Sequence, residues 1–414
     1  MRLGDVANAG AAGAGKPLDG VRILAIEQMQ ALPYATQLLA RLGAEVVKVE
    51  NPRGGDIGRG SLPAMLDPEG RRVGATFLRN NLNKRSICVD LKSGAGRELI
   101  LRLAPQFDIV AENSKAGAMT KLGLGYADVA AVHPGVVYLS VSGFGNTVAS
   151  PYDSWPAFAP IVEAMSGIYE FKRTGDDPPL VAPVGALGDI GSGLYAVIGV
   201  LAALRHRDAT GVGQHVDIAM LDAMVAMTDL VTNFWSLGLR NGDLAPLIMH
   251  GFRAADGWFI IQVGREPQFA MLAEVVGEPG WVTDPRFADR QGWVDHLEDV
   301  IRPAVETWAA ARTRVEACEA LAAAGIAAGP CFRDDEVVAD PHVAARNMLV
   351  EMPRPDGVPQ PVLIPGNPVK LTNVAEGPEV RVPWLGEHTD EVLAAELGLA
   401  TEELAALRND GVIA

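Results

Sequence analysis

The stretch from Pro183 to Met227, PVGALGDIGSGLYAVIGVLAALRHRDATGVGQHVDIAMLDAMVAM, decides the fold class. It reads as loop, helix, tight turn, strand and second helix. Ile190, Leu194, Val197, Ile198, Leu201 and Leu204 recur at three- and four-residue steps, which predicts a helix from Gly188 to Arg207 with a broad buried face. Arg205 and Arg207 fall in its last turn, opposing the negative helix end, and Thr210-Gly211-Val212-Gly213 stops it. Gln214 to Ile218 alternates as a strand. Met220 to Leu237 reads as an apolar helix whose methionines fill core or subunit contacts.

Within this stretch one carboxylate, Asp189, is flanked by Gly185, Gly188, Gly191 and Gly193, which leaves the backbone around it bare of side chains. Two readings fit. Asp189 is an ordinary N-cap for the free amides of the first turn, or it is a reactive group that a bulky ligand can approach closely because the glycines carry no Cβ.

Working outward, 414 residues with 49% hydrophobic and 21% charged content predict a globular chain with one large and one smaller domain. A net charge of −16 excludes nucleic acid as a partner, because a phosphate backbone needs a basic surface. Cys88, Cys318 and Cys331 lie far apart, so neither a disulfide framework nor a zinc site is expected, and the reducing cytoplasm is the expected compartment. Apolar runs such as Leu194 to Leu204 are too short for a membrane span. Residues 1–18, rich in Ala and Gly, read as a disordered tail.

Val21 to Ile26, Tyr34 to Leu42 and Glu45 to Val49 form a strand, a helix and a strand, a βαβ unit. The glycines between Gly10 and Gly15 precede the first strand instead of following it, which argues against a dinucleotide fingerprint. The turn after the first strand, Glu27 to Pro33, leads into a helix N-terminus with free amides. Ser86 to Asp90, a helix from Ser93 to Ala104, Asp108 to Glu112 and Val136 to Ser142 continue the α/β pattern. From Ala255 the texture changes: Asp256-Gly257-Trp258 turns into a strand, Phe259 to Val263, and helices follow through Ala324. The histidines, among them His133, His250, His296, His342 and His388, lack carboxylate or cysteine partners at ligand spacing, so no metal is expected. Thr401, with Glu403 nearby, reads as the cap of the last helix.

The whole pattern resembles the family III CoA-transferases (the CaiB/BaiF group), which includes formyl-CoA and carnitine CoA-transferases. The matching residues are Leu18 to Leu24 (LDG-V-x-IL), Leu42 to Glu50 (LGAEVVKVE), Gly55 to Arg59 (GD-x-x-R), Asn83 to Lys92 (NKRSI-x-x-D-L-K), Val110 to Asn113 (V-x-EN), Asp189 with Gly191 and Gly193, Thr210 to Gln214, Asp284 to Phe287 and Pro383 to Thr389. The resemblance implies a Rossmann-like large domain made from both chain ends (19–240 and 346–414), a smaller α/β domain at 241–345, and an interlocked homodimer. It implies coenzyme A as substrate and no permanently bound cofactor, with CoA touched by Gln30, Ala31, Arg59, Val89, Lys92, Asn113, Lys115 and Lys121. Lys84, Arg85, Lys92, Lys115 and Lys121 would then surround one polyanion. Asn51 stands where the family often has a basic residue, with Arg53 as the substitute cation, and Ser114-Lys115-Ala116-Gly117 replaces the family's F-R-P-G.

By the same resemblance Asp189 is the nucleophile that takes CoA from an acyl-CoA and passes it to a small carboxylic acid through an aspartyl-CoA thioester. The amides near Gly188 to Gly193 are expected to stabilise the oxyanion. Related racemases need a second proton-moving group near residues 158–163. The segment Phe158-Ala159-Pro160-Ile161-Val162-Glu163-Ala164-Met165-Ser166-Gly167, which stands where the family has an acid followed by Q-A-x-S-G, reads as lacking one. Racemase and a non-catalytic CoA-binding protein are therefore the secondary readings. A glycine-rich flap of the kind found in oxalate-using relatives is not evident between Gly238 and Gly251, which argues against oxalate.

Overall fold

The computed structural model describes residues 1–170, 178–179, 181, 186–228, 233–238 and 246–414. They fall into two compact units, Met1–Asn241 with His342–Ala414, and Gly242–Pro341.

In the first unit β1 (Arg22–Ile26), α1 (Ala31–Arg41) and β2 (Glu45–Glu50) open the chain, followed by a hairpin of β3 (Ala64–Leu66) and β4 (Arg72–Gly74) and by α2 (Ala75–Asn80). Then come β5 (Lys84–Cys88), α3 (Gly94–Leu103), β6 (Ile109–Glu112), α4 (Ala118–Lys121), α5 (Tyr126–Val132) and β7 (Val137–Ser142). Last are α6 (Ala159–Met165), α7 (Leu187–Thr210), β8 (Gln214–Ala219) and α8 (Met220–Met227). Six strands form one sheet in the order β5-β2-β1-β6-β7-β8. Every neighbouring pair is parallel. All six positions of β7 are buried, which explains why VYLSVS shows no alternation: a parallel strand is covered on both faces. Ile23 and Ala25 of β1 enter one apolar cluster, with Leu32, Leu39 and Val200; Leu24 and Ile26 enter another, with Leu99, Leu103, Val392 and Leu404. Alternate residues of a strand point to opposite faces, so these clusters lie on the two sides of the sheet. Strand order reverses between β1 and β6, and a crevice opens there at the carboxyl ends of the strands.

The chain's end returns to this sheet. The His388 N–H donates to the Ser86 carbonyl at 2.9 Å, the Asp90 N–H donates to Val412 at 2.8 Å, and helices Thr389–Leu397 and Thr401–Asn409 close the second apolar cluster. Ala400 caps the last helix instead of Thr401, with Glu403 accepting the Ala400 N–H at 2.8 Å. Residues 1–18 are packed and do not form a disordered tail. The Met1 ammonium donates to the Leu349 carbonyl at 3.0 Å, Ala7 pairs with Glu376, and Met1 and Leu3 pack on Met65 and Val382. Composition concealed this because the partners lie 348 residues away in sequence.

The decisive helix buries a different face from the one its large residues suggest. Gly188, Gly191, Ser192, Gly193, Ala196, Val200, Ala203 and Leu204 are buried. Leu194, Ile198 and Leu201 are instead 44%, 61% and 37% exposed. The small residues let α1 come close: a Cβ at position 193 would stand 2.9 Å from the Ala31 carbonyl oxygen and from the Tyr34 ring. By length and composition α7 is apolar enough to cross a membrane, yet its small-residue side lies against α1 and the sheet, as in a core helix. The helix expected to reach Leu237 ends at Met227, followed by extended Thr228; residues 229–232 are outside the described residues.

The second unit holds an antiparallel sheet of β9 (Ile248–Ala254), β10 (Gly257–Val263) and β11 (Ala327–Pro330), ordered β11-β10-β9. Helices cover it through an aromatic core in which Phe269 and Trp293 stack at 4.4 Å.

Candidate active site

The crevice at the strand-order reversal holds two cavities. One, of about 220 Å³, is lined by Glu27 and Gln28 after β1, Glu50 and Asn51 after β2, Val89 and Lys92 after β5, and Asn113 and Ser114 after β6. The other, of about 290 Å³, shares Gln28, Asn113 and Ser114 with it and reaches Gln30, Ala31, Lys115 and Asp189. The shared walls make one groove with Lys92 toward one end and a carboxylate toward the other. Such a groove suits a long ligand with an anionic head and a reactive far end.

The turn between β1 and α1 is held from both sides. Beneath it lies an ionic cluster with no solvent exposure. Lys84 Nζ stands 2.7 Å from Glu27, Lys48 Nζ 3.4 Å from the same carboxylate, and Lys48 Nζ 2.8 Å from Asp56. Burial pushes the Lys84 ammonium down to about 8, against the pull of Glu27. Burial also works to raise Glu27, but the two lysines win and hold its carboxyl below the usual range. Asp56 Oδ1 accepts the Met29 N–H at 2.8 Å, fixing Met29 at φ 64°, a left-handed conformation that costs a non-glycine residue energy. From the other side the Asn113 amide accepts the Gln28 N–H and donates to the Gln28 carbonyl, both at 2.9 Å. Gln30 is thereby fixed at the N-cap of α1. It is 9% exposed, and its Nε2 is buried without a hydrogen-bond partner. An unsatisfied buried donor costs about 1–3 kcal/mol, and a ligand oxygen in the groove would remove that cost.

Asp189 is the third residue of α7; the N-cap is Ala186 at φ 37°, so Asp189 is not the cap. The first-turn amides are already occupied. Gly188 N–H donates to Glu163 Oε1 at 2.9 Å, and the Asp189 and Ile190 N–H groups both donate to the Ala186 carbonyl, at 2.9 and 3.0 Å. The Gly188, Asp189 and Ile190 amides are therefore not free for an oxyanion, against the expectation for them, while Gln30 Nε2 on the groove wall is a donor without a partner. The glycines serve packing instead of ligand approach. A Cβ on Gly188 would lie 2.9 Å from Val162, and one on Gly191 would collide with Met227. Gly185 and residues 239–245, part of the stretch read for a flap, are outside the described residues. Burial first, and the charge of Glu163 second, push the Asp189 carboxyl up to about 6. At neutral pH it is an anion more basic than an ordinary aspartate.

Glu163 is the acid that segment 158–167 does carry; the pair of the family pattern stays absent, since Phe158 is followed by Ala159. Glu163 is 3% exposed, on α6, with Oε1 on the Gly188 N–H and Oε2 accepting the Tyr169 hydroxyl. Sequence alone gives its residue type but not the packing of α6 on α7.

Of the residues expected to touch CoA, Gln30, Ala31, Asn113 and Lys115 line the cavity with Asp189, and Val89, Lys92 and Asn113 line the other. Arg59 lines neither. Its guanidinium spans Glu50 at 2.7 and 2.6 Å and lies 3.7 Å over the Phe77 ring, so it braces the loop after β2. Lys121, exposed at the end of α4, also lines neither cavity. Lys84 belongs to the buried cluster, and Arg85 bridges Glu45 and Glu391 at 2.7 and 3.0 Å. Sequence reasoning missed an aromatic wall beside Asp189, made by Phe144, Trp155 and Phe158. Among the described residues no cluster of three or more metal-ligating side chains occurs.

Residues 18–389 match the model of CoA-transferase family III. The chain belongs to this family. Family III relatives include the succinate–glutarate CoA-transferase of Agrobacterium fabrum, 35% identical over 391 residues, which cover 91% of this chain and 95% of the relative. The formyl-CoA:oxalate CoA-transferase of Streptomyces coelicolor is 34% identical, with 96% and 99% of the two chains covered. A CAIB/BAIF family protein from Brucella suis has a crystal structure that superposes with a TM-score of 0.79 at 34% identity, covering 92% of this chain and all of that one. The family III assignment fits a groove that pairs a long ligand channel with the Asp189 carboxylate at one end.

Proposed function

We propose that this family III enzyme transfers CoA from an acyl-CoA to a small carboxylic acid through covalent intermediates on Asp189. The observation that carries the reading is one carboxylate, raised to about 6, facing the same cavity as an unpartnered buried amide. The Asp189 carboxylate attacks the thioester carbonyl, giving a mixed anhydride and CoA thiolate. The thiolate attacks the aspartyl carbonyl of that anhydride, giving the aspartyl-CoA thioester and releasing the donor acid as its carboxylate. The acceptor carboxylate then attacks the aspartyl thioester, expelling the thiolate. The thiolate in turn attacks the acceptor's carbonyl, so that the new acyl-CoA leaves and Asp189 is regenerated. Each step exchanges one acyl–oxygen or acyl–sulfur bond for another, which suits a weak nucleophile. A carboxyl raised to about 6 is a stronger nucleophile than one near 4 and remains ionised at pH 7. The chemistry calls for no resident cofactor, CoA entering and leaving as substrate.

The named relatives use succinate, glutarate or oxalate, so short dicarboxylic acids are the first acceptors to test. The test is acyl-CoA turnover across that panel with hydroxylamine present. Inactivation with a hydroxamate on the peptide carrying Asp189 supports the mechanism; exchange that proceeds untouched by hydroxylamine, with no modified peptide, contradicts it. Gln30 donates to the developing oxyanion in this reading. Gln30→Ala is expected to lower kcat about 10²-fold with little change in KM for acyl-CoA, and a kcat within about twofold of wild type would remove Gln30 from that role.

Racemisation gains nothing from Glu163, whose two oxygens are engaged and which does not line the cavity. The exposed stripe of Leu194, Ile198 and Leu201 supports a homodimer, since a second copy would bury it. Sedimentation equilibrium is expected to give twice the chain mass of 43.7 kDa; a single-chain mass at micromolar concentration would contradict this.

A further inference from the structure

We propose that Glu163 is a positioning residue of the transferase site, holding the Asp189 carboxylate toward the groove through the Gly188 amide and its own fixed charge. The inference rests on the transferase reading for its kinetic consequences only. Its geometry is local and complete. Helix α6 packs on the first turn of α7 so closely that a Cβ on Gly188 would stand 2.9 Å from Val162 and 3.2 Å from Ala159. Glu163 sits on that contact, 3% exposed, with Oε1 on the Gly188 N–H at 2.9 Å. The Gly188 peptide leads directly into Asp189, so any rotation there turns the nucleophile. Oε2 is fixed by the Tyr169 hydroxyl, and the Ser166 hydroxyl donates to the Glu163 carbonyl at 2.7 Å. Both carboxylate oxygens are thus satisfied, and the side chain has no free oxygen with which to shuttle a proton. What it offers Asp189 is a fixed amide and a nearby negative charge.

Other charged or titratable groups lie at this end of α7: Tyr34 from α1, and Lys115 and Asp153 on the cavity wall. Only Glu163 joins burial in raising Asp189. Low dielectric strengthens this repulsion, and repulsion between like charges raises the pKa of the partner. The nucleophile is thereby kept basic without losing its ionised form at neutral pH.

The test compares Glu163→Gln and Glu163→Ala. Glutamine retains an acceptor for the Gly188 N–H and removes the charge, its NH2 then donating to the Tyr169 hydroxyl, which donates to Glu163 in the wild type. The first readout needs no turnover: the pH dependence of carbodiimide labelling at Asp189, followed on the isolated peptide. In Glu163→Gln the midpoint is expected to fall by about half a pH unit or more, and the acid limb of kcat/KM to fall with it. In Glu163→Ala, kcat is expected to drop about tenfold or more, with KM for acyl-CoA little changed. Superimposable labelling and rate profiles for wild type and Glu163→Gln would overturn the proposal. If no acyl-CoA is turned over by the wild type while the labelling midpoint still falls in Glu163→Gln, the coupling stands and the transferase reading fails.

Discussion

Asp189→Asn is expected to lower CoA exchange by about 10³-fold or more while making the protein more stable above pH 6. The activity loss follows from the proposed step itself: an amide cannot form the mixed anhydride, and what remains is binding alone. Stability moves the other way for the reason that makes Asp189 reactive. Its carboxyl is raised from 3.8 unfolded to about 6 folded, so the folded state holds the proton more tightly. Below pH 4 the group is protonated in both states and costs nothing. The penalty grows as pH rises and is complete above about 6, where the folded protein must bury part of a negative charge beside Glu163. At 1.36 kcal/mol per pKa unit, and discounted for the residual solvent contact of Asp189, the penalty is on the order of 1–2 kcal/mol. Urea melts of wild type and Asp189→Asn are expected to separate at pH 7.5 and to converge at pH 4. Equal stability at both values, or turnover by the asparagine variant near the wild-type rate, would contradict the account. This is the usual opposition between function and stability at a reactive site.

The second large effect is expected at Lys48. Its ammonium lies between Asp56 and Glu27, with no side-chain exposure on any of the three. Lys48→Met fills a similar volume but strands Asp56 Oδ2, which has no hydrogen-bond donor besides that ion pair, and leaves Glu27 with Lys84 as its one cation beside the Thr36 hydroxyl. Breaking a buried ion pair from one side costs about 3–5 kcal/mol, because the remaining charge is desolvated without compensation. The same cluster fixes Met29 through Asp56, so the surviving folded protein is expected to bind acyl-CoA more weakly as well. A denaturation free energy within about 1 kcal/mol of wild type would show that the cluster is dispensable. Glu50 illustrates the same dependence on paired charge: burial alone would raise its carboxyl, yet Arg59, Lys48 and Ser86 hold it below its ordinary range.

The α/β layering was legible because buried parallel strands write themselves as short apolar runs, as at Ile23 to Ile26 and Ile109 to Ala111. Ser93 was legible as a cap because capping is local: its hydroxyl accepts the Gly96 N–H at 2.9 Å. What could not be read were facts set by partners distant in sequence. The buried face of α7 is decided by how closely α1 approaches Gly193, so of the large apolar residues at helical spacing Leu204 is buried while Leu194, Ile198 and Leu201 are not. Arg59 carries the positive charge expected of a phosphate ligand, but Glu50 and Phe77 consume it. Residues 1–18 look like a solvated tail until Leu349 and Glu376 are brought to them by the fold. At the site, local pattern left Asp189 open between a cap and a reactive group, and only the family resemblance pointed to Gln30 and to Asp189 as nucleophile. Glu163 did not stand out, since its role depends on one hydrogen bond across 25 residues.

The most direct measurement is the intact mass of the protein after mixing with a panel of acyl-CoAs, wild type beside Asp189→Asn. The account predicts an acyl-sized or CoA-sized covalent adduct on the wild type that maps to the peptide carrying Asp189 and is missing from the asparagine variant. An adduct that persists in Asp189→Asn, or CoA exchange by the wild type with no adduct under any donor, would contradict it.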